Sequence, residues 1–93
     1  MLEKEIEKFL VREVKKLGGI SFKFISPDNA GVPDRIVILP SGNVVFAELK
    51  TDKGKLTKLQ EVQIKKISDL GADVRVLRGM KGVKEFINEI QSA

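Results

Sequence analysis

The sequence predicts an α/β fold on a four-stranded mixed sheet. Three observations predict it. The apolar spacing alternates between helical and strand-like periods in the order α-β-β-β-α-β-α. The four-residue turn Pro40-Ser41-Gly42-Asn43 joins two apolar runs and makes them an antiparallel hairpin. A strand, a helix and a strand then follow in succession, a βαβ unit whose strands run parallel with a right-handed crossover.

The first helix is read over 3–17, where Ile6, Phe9, Leu10, Val14 and Leu17 form an apolar stripe that Gly18-Gly19 ends. Ile20 to Ile25 alternates and reads as a half-buried strand. Ser26 to Pro33 is a loop, since Pro27-Asp28-Asn29 and Gly31 are turn residues. Asp34 to Leu39 is the second strand and Val44 to Lys50 the third. After the polar loop 51–55, Leu56 to Gln60 opens a helix marked by Leu59, Val62, Ile67 and Leu70 and closed by Gly71. Asp73 to Leu77 is the fourth strand. A last helix, after Gly79 and Gly82, carries Val83, Phe86, Ile87 and Ile90 on one narrow face.

Composition narrows the chemistry. The 93 residues suffice for one domain, read as 1–93. The absence of Cys excludes a disulfide scaffold and a thiolate zinc site, and the absence of His excludes imidazole catalysis. What is left is carboxylate, lysine and hydroxyl chemistry with a hard metal. No apolar run approaches the ~20 residues that span a bilayer. Met1-Leu2-Glu3-Lys4-Glu5 has no signal-peptide character, so a cytoplasmic protein is expected.

The third strand is anomalous. Val44-Val45-Phe46-Ala47 reads as buried on both faces, yet it runs into Glu48-Leu49-Lys50. Alternation sends Glu48 and Lys50 to one face, about 7 Å apart along the backbone, and Leu49 to the other. A carboxylate there is costly unless it is paired, metal-bound or wet. The second strand enters the hairpin where the third leaves it, so Asp34 approaches Glu48 and Lys50. Two carboxylates and a main-chain carbonyl suit Mg²⁺, and a lysine beside them stabilises charge on phosphate oxygens. Glu-x-Lys alone carries little weight: Glu13-Val14-Lys15 repeats it on a helix, where the two side chains do not face each other.

Gly31-Val32-Pro33-Asp34-Arg35 followed by Glu48-Leu49-Lys50 resembles the signature of the PD-(D/E)XK nuclease superfamily. More narrowly, the chain resembles the VRR-NUC (virus-type replication-repair nuclease) domain over almost its whole length. The likeness includes Glu3-Lys4-Glu5-Ile6-Glu7, Lys23-Phe24-Ile25-Ser26-Pro27 and Leu56-Thr57-Lys58-Leu59-Gln60. The resemblance implies a restriction-endonuclease-like α-β-β-β-α-β core, here with a C-terminal helix. It implies that Asp34, Glu48 and the Leu49 carbonyl hold Mg²⁺ or Mn²⁺ and that Lys50 is the catalytic lysine. A first-helix glutamate joins them, Glu3 ranking ahead of Glu7. Gln60 matches the family's glutamine at the start of the crossover helix; Thr57-x-x-Gln60 is equally a capping box, and one glutamine can serve both roles.

Residues 50–66 hold six lysines, Lys50, Lys53, Lys55, Lys58, Lys65 and Lys66, against two acids, and carry the +4 charge of the whole chain. Such a face supplies phosphate contacts without sequence readout. Lys23, Ser26, Arg35, Lys53, Lys55 and Lys58 are the expected DNA contacts. With no Trp or Tyr, base stacking on an aromatic platform is not expected. The implied activity is an endonuclease that hydrolyses phosphodiesters to 5′-phosphate and 3′-hydroxyl ends. Compact relatives act as homodimers on Holliday junctions or other branched DNA, and the same is expected here, in the cytoplasm of a bacterium or phage-infected host. No membrane and no nucleotide cofactor are expected. A monomeric flap or nicking nuclease and a non-catalytic DNA-binding module are the alternatives.

Overall fold

The computed structural model describes residues 2–92. Helix α1 spans Glu3–Lys16, strands β1 Ile20–Lys23, β2 Arg35–Ile38 and β3 Val44–Lys50, helix α2 Lys58–Asp69, strand β4 Asp73–Arg78 and helix α3 Gly79–Ser92. The strands form one sheet in the order β1-β2-β3-β4. β1–β2 and β2–β3 are antiparallel and β3–β4 is parallel, the mixed sheet expected from a hairpin followed by a crossover.

Alternation along the strands gives the sheet two unlike faces. One is covered by α1 and α3. Ile6, Leu10 and Val14 of α1 and Val83, Phe86 and Ile87 of α3 close over Val37, Val45, Ala47, Leu49 and Leu77. Each fully buried aliphatic side chain there contributes about 1.5–3 kcal/mol. Arg35, Ala47 and Arg75 form a row on this face. Arg35 turns toward Glu7 of α1, and Arg75 stacks over the Phe86 ring of α3 at 5.7 Å.

The other face carries α2, which packs against β4 and leaves the β1–β2 side largely open. Two cross-strand rows lie there, Phe22–Ile36–Phe46 and Ile20–Ile38–Val44. Ile20, Phe22 and Val44 are 47%, 51% and 43% exposed. Glu48 and Lys50 continue this face toward the end of β3.

Several boundaries differ from the sequence reading by one to a few residues: α1 ends at Lys16 rather than Leu17, β2 ends at Ile38 rather than Leu39, and α2 starts at Lys58 rather than Leu56. β1 stops at Lys23 rather than Ile25, and β2 starts at Arg35 rather than Asp34. The ladder nevertheless extends one rung, through a bond from Phe24 N–H to the Asp34 carbonyl at 2.8 Å. β4 runs to Arg78 rather than Leu77. α3 begins at Gly79 rather than beyond Gly82, because Gly79 at φ +64° turns the chain from strand to helix without a loop.

α2 also presents a different face from the one expected. Leu59, Val62 and Leu70 are exposed, and Gln60, Gln63, Ile64 and Ile67 are the half-buried residues. Gly31 sets the helix close to the loop that precedes β2. At φ +90°, a Cβ on Gly31 would lie 2.6 Å from the Leu59 carbonyl carbon. That approach brings Gln60 over the sheet.

Candidate active site

Glu48 is the one buried charged side chain among the described residues, 1% exposed. Its position follows from β3: apolar neighbours drive the strand into the sheet, and alternation aims Glu48 under the N-terminus of α2. Its two oxygens are treated differently. Oε2 accepts a hydrogen bond from Gln60 Nε2 at 3.0 Å and lies 3.9 Å from Lys50 Nζ. Oε1 is buried with no hydrogen-bond partner.

Asp34 stands across from Glu48. Arg35 pairs with Ala47, so the preceding residue of β2 falls opposite the next residue of β3. Asp34 Oδ2 accepts a hydrogen bond from Leu49 N–H at 2.9 Å, which fixes its carboxylate at the rim of the hairpin. The two acids are therefore on one side of the sheet, within interaction range.

The electrostatics record that proximity. Burial pushes the Glu48 carboxyl from its ordinary value of 4.5 up to about 8. The Asp34 charge adds to the rise, Lys50 opposes it, and the close approach of the Asp34 carboxyl and the Glu3 charge add further. A carboxyl this reluctant to ionise needs a proton or a cation.

The donor set fits a hard divalent cation. The buried Oε1 lacks a partner, a second carboxylate faces it, and a dication satisfies both. Among the described residues, no group of three acidic, His or Cys side chains gathers closely enough to hold a metal ion. Asp34 and Glu48 would hold it with water and a main-chain oxygen, for which the Leu49 carbonyl was expected. Glu3 is exposed at the start of α1, near enough for its charge to act on Glu48. Glu7 is turned to Arg35, with Oε2 3.9 Å from Arg35 Nε.

Gln60 forms the expected capping box and, in addition, a hydrogen bond to Glu48. Its main-chain N–H donates to Thr57 Oγ1 at 3.1 Å, and its Oε1 accepts from Thr57 N–H at 2.9 Å, a complete capping box. Its Nε2 remains free for Glu48.

The expected DNA contacts divide. Lys23, Lys53, Lys55 and Lys58 are exposed. Ser26 Oγ is half-buried in its turn and accepts from Asn29 Nδ2 at 2.8 Å. Arg35 is the least exposed of the cations in this set: its side chain is 12% exposed and lies 3.9 Å from Glu7 on the face covered by α1. One cation was missed. Arg78 lies opposite Lys50 across the parallel pair, and ending β4 at Leu77 had hidden that register.

Fold and site together define a small α/β protein with a carboxylate–lysine centre at one hairpin mouth. No protein-family profile matches the chain. Over 75 residues it is 48% identical to "Putative nuclease p44" of Acyrthosiphon pisum secondary endosymbiont phage 1, covering 81% of each chain. A solved "VRR_NUC domain" superposes with a TM-score of 0.87 at 30% identity, over 92% of this chain and 94% of that one. A structure described as a "VRR_NUC domain protein" shares the fold at 19% identity, with a TM-score of 0.73 over 98% and 86% of the two chains. The chain belongs to the VRR-NUC nuclease family.

Proposed function

We propose that this protein is a divalent-metal-dependent DNA endonuclease that acts as a homodimer on Holliday junctions or other branched DNA, with Asp34, Glu48 and Lys50 at its catalytic centre. The observation that carries the reading is Glu48: a buried carboxylate with one unpartnered oxygen, beside a second carboxylate and a lysine. Most buried polar atoms in folded proteins have a hydrogen-bond partner, and an unpartnered carboxylate oxygen beside a second carboxylate is suited to a bound cation.

The reaction is hydrolysis. A water oxygen bonds to phosphorus, the P–O3′ bond breaks, and the leaving oxygen takes up a proton. Mg²⁺ or Mn²⁺ held by Asp34 and Glu48 would supply Lewis acidity toward the phosphate oxygens. Lys50, 12% exposed and anchored 3.9 Å from Glu48, offsets negative charge developing on the phosphoryl group. Leu49 N–H holds Asp34 and Gln60 Nε2 holds Glu48, so neither carboxylate must reorganise as the reaction begins. The exposed Lys53, Lys55 and Lys58 serve DNA phosphates beyond the scissile one.

The homodimer is supported by the two apolar rows on the open sheet face. They carry no charge, so two copies of a +4 chain meet there without opposing like charges. An apolar patch of this extent exceeds the scattered single residues of an ordinary monomer surface.

The test is incubation of the purified chain with a labelled four-way junction and with linear duplex, in Mg²⁺, Mn²⁺ or EDTA. Metal-dependent cleavage that favours the junction supports the reading. Binding with no cleavage in any metal overturns it in favour of a non-catalytic module.

A further inference from the structure

We infer that Arg78 forms a second phosphate subsite, beside Lys50, for the phosphodiester that flanks the scissile one. The inference deepens the nuclease reading and rests on it. Its starting point is register. β3 and β4 run parallel with Lys50 opposite Arg78 and Glu48 opposite Val76, so Arg78 leaves the sheet on the side of the catalytic residues.

The loop between β3 and α2 fixes it there. Arg78 Nη1 donates to the Gly54 carbonyl. Gly54 in turn lies against the Lys50 stem, since a Cβ on Gly54 would sit 3.5 Å from Lys50 Cδ. The guanidinium and the lysine are thus held on either side of one small residue.

Arg78 is also free. The chain has four arginines. Arg12 is paired with Glu13, Arg35 with Glu7, and Arg75 with both Asp73 and Glu89. Arg78 is exposed and has no ion-pair partner among the described residues. The nearby acid, Asp52, forms no ion pair with it among the described residues: its carboxylate packs against Gly79, where a Cβ would collide with Oδ1. The glycine that turns β4 into α3 therefore also leaves room for Asp52.

A guanidinium has five N–H donors in a planar fork. One is taken by Gly54, and the remainder face solvent next to an exposed lysine loop. That geometry matches the non-bridging oxygens of a phosphate better than any neutral ligand. Two cations one strand apart, one at the catalytic carboxylates and one outside them, suit successive phosphates of a single DNA strand.

Two variants of the full chain test this. Arg78→Gln keeps an N–H for the Gly54 carbonyl but removes the charge; Arg78→Lys keeps the charge but removes the fork. Affinity for duplex DNA is measured by fluorescence anisotropy in EDTA across salt concentrations, with circular dichroism to verify folding. Arg78→Gln is expected to reduce the slope of log K against log salt by about 0.9, weakening binding about ten-fold at 50 mM salt and about three-fold at 200 mM. In Mg²⁺ it raises KM and leaves kcat nearly unchanged. Arg78→Lys keeps the slope. A wild-type slope and KM in the glutamine variant, from a protein that cleaves DNA normally, overturn the inference alone and leave Arg78 as a clasp on Gly54. Failure of the wild-type chain to bind DNA overturns both this inference and the nuclease reading.

Discussion

Gln60 joins the cap of α2 to the buried carboxylate of β3: its Oε1 accepts from Thr57 N–H at 2.9 Å while its Nε2 donates to Glu48 Oε2 at 3.0 Å. The start of α2 and the placement of Glu48 therefore share one side chain, and substitutions separate the two. Gln60→Ala loses half of the capping box and the donor to Glu48, and stability is expected to fall by about 1 kcal/mol in urea unfolding. Gln60→Glu retains the acceptor for Thr57 and puts a third negative charge beside Glu48. It is expected to keep α2 intact and yet to lose at least ten-fold in cleavage. Wild-type cleavage by both variants would reduce Gln60 to a helix cap.

The raised Glu48 carboxyl gives the metal-free protein a defined response to pH. Glu48 holds its proton up to about pH 8 in the folded chain and to 4.5, its ordinary value, when unfolded. Between those values the folded state binds more protons, so this group's contribution to stability is complete below about pH 4.5 and is lost as pH rises toward 8. The loss amounts to a few kcal/mol, at about 1.4 kcal/mol for each pH unit of difference. Thermal melts in EDTA are expected to show Tm falling from pH 5 to pH 8. Mn²⁺ replaces the proton, so its stabilising effect is expected to grow over the same range. A Tm in EDTA that rises with pH across this window would contradict the assignment of Glu48 as a strained carboxyl.

Asp34 and Lys50 act on Glu48 with opposite sign, the first raising its proton affinity and the second lowering it. Asp34→Asn is expected to preserve an acceptor for Leu49 N–H, to flatten the fall of Tm with pH in EDTA, and to reduce cleavage by 10³ or more. Lys50→Ala steepens that fall and reduces cleavage by about 10²–10³, the range typical of losing one group that stabilises developing charge. Junction affinity in EDTA changes less than three-fold in Asp34→Asn and falls by up to about ten-fold in Lys50→Ala, which loses one phosphate contact. A gel-shift series beside single-turnover cleavage measures the two effects separately. If both variants fail to fold, these residues serve structure.

The element order, the hairpin and the parallel crossover were legible because each depends on local periodicity and turn chemistry. So was the meeting of Asp34 and Glu48, since antiparallel pairing alone puts the start of β2 beside the end of β3. Three features were not legible. The apolar residues of α2 suggested an inward stripe, but the glutamines turn inward because a buried carboxylate needs a donor and Leu59 does not supply one. Arg35 looked available for DNA beside Asp34. Alternation sends it through the sheet to Glu7, and only the packing of α1 on that face shows where it ends. Arg78 was obscured by a one-residue error in strand length.

The open sheet face makes the last prediction. Phe22 ends one apolar row on the edge strand β1 and is 51% exposed, so replacing it removes little of the folded core. Phe22→Lys puts a charge onto each of two facing surfaces and is expected to split a homodimer, since like charges brought together without solvent cost several kcal/mol. Sedimentation at micromolar concentration is expected to give about twice 10.3 kDa for the wild type and 10.3 kDa for the variant, with matching circular dichroism. Junction cleavage by the variant is expected to fall more than nicking of linear duplex, because one catalytic centre remains intact in each copy but two no longer act together. A wild-type chain that sediments as a monomer on its own and on junction DNA would rule out this face as a self-interface. The monomeric nicking nuclease would then be the better account.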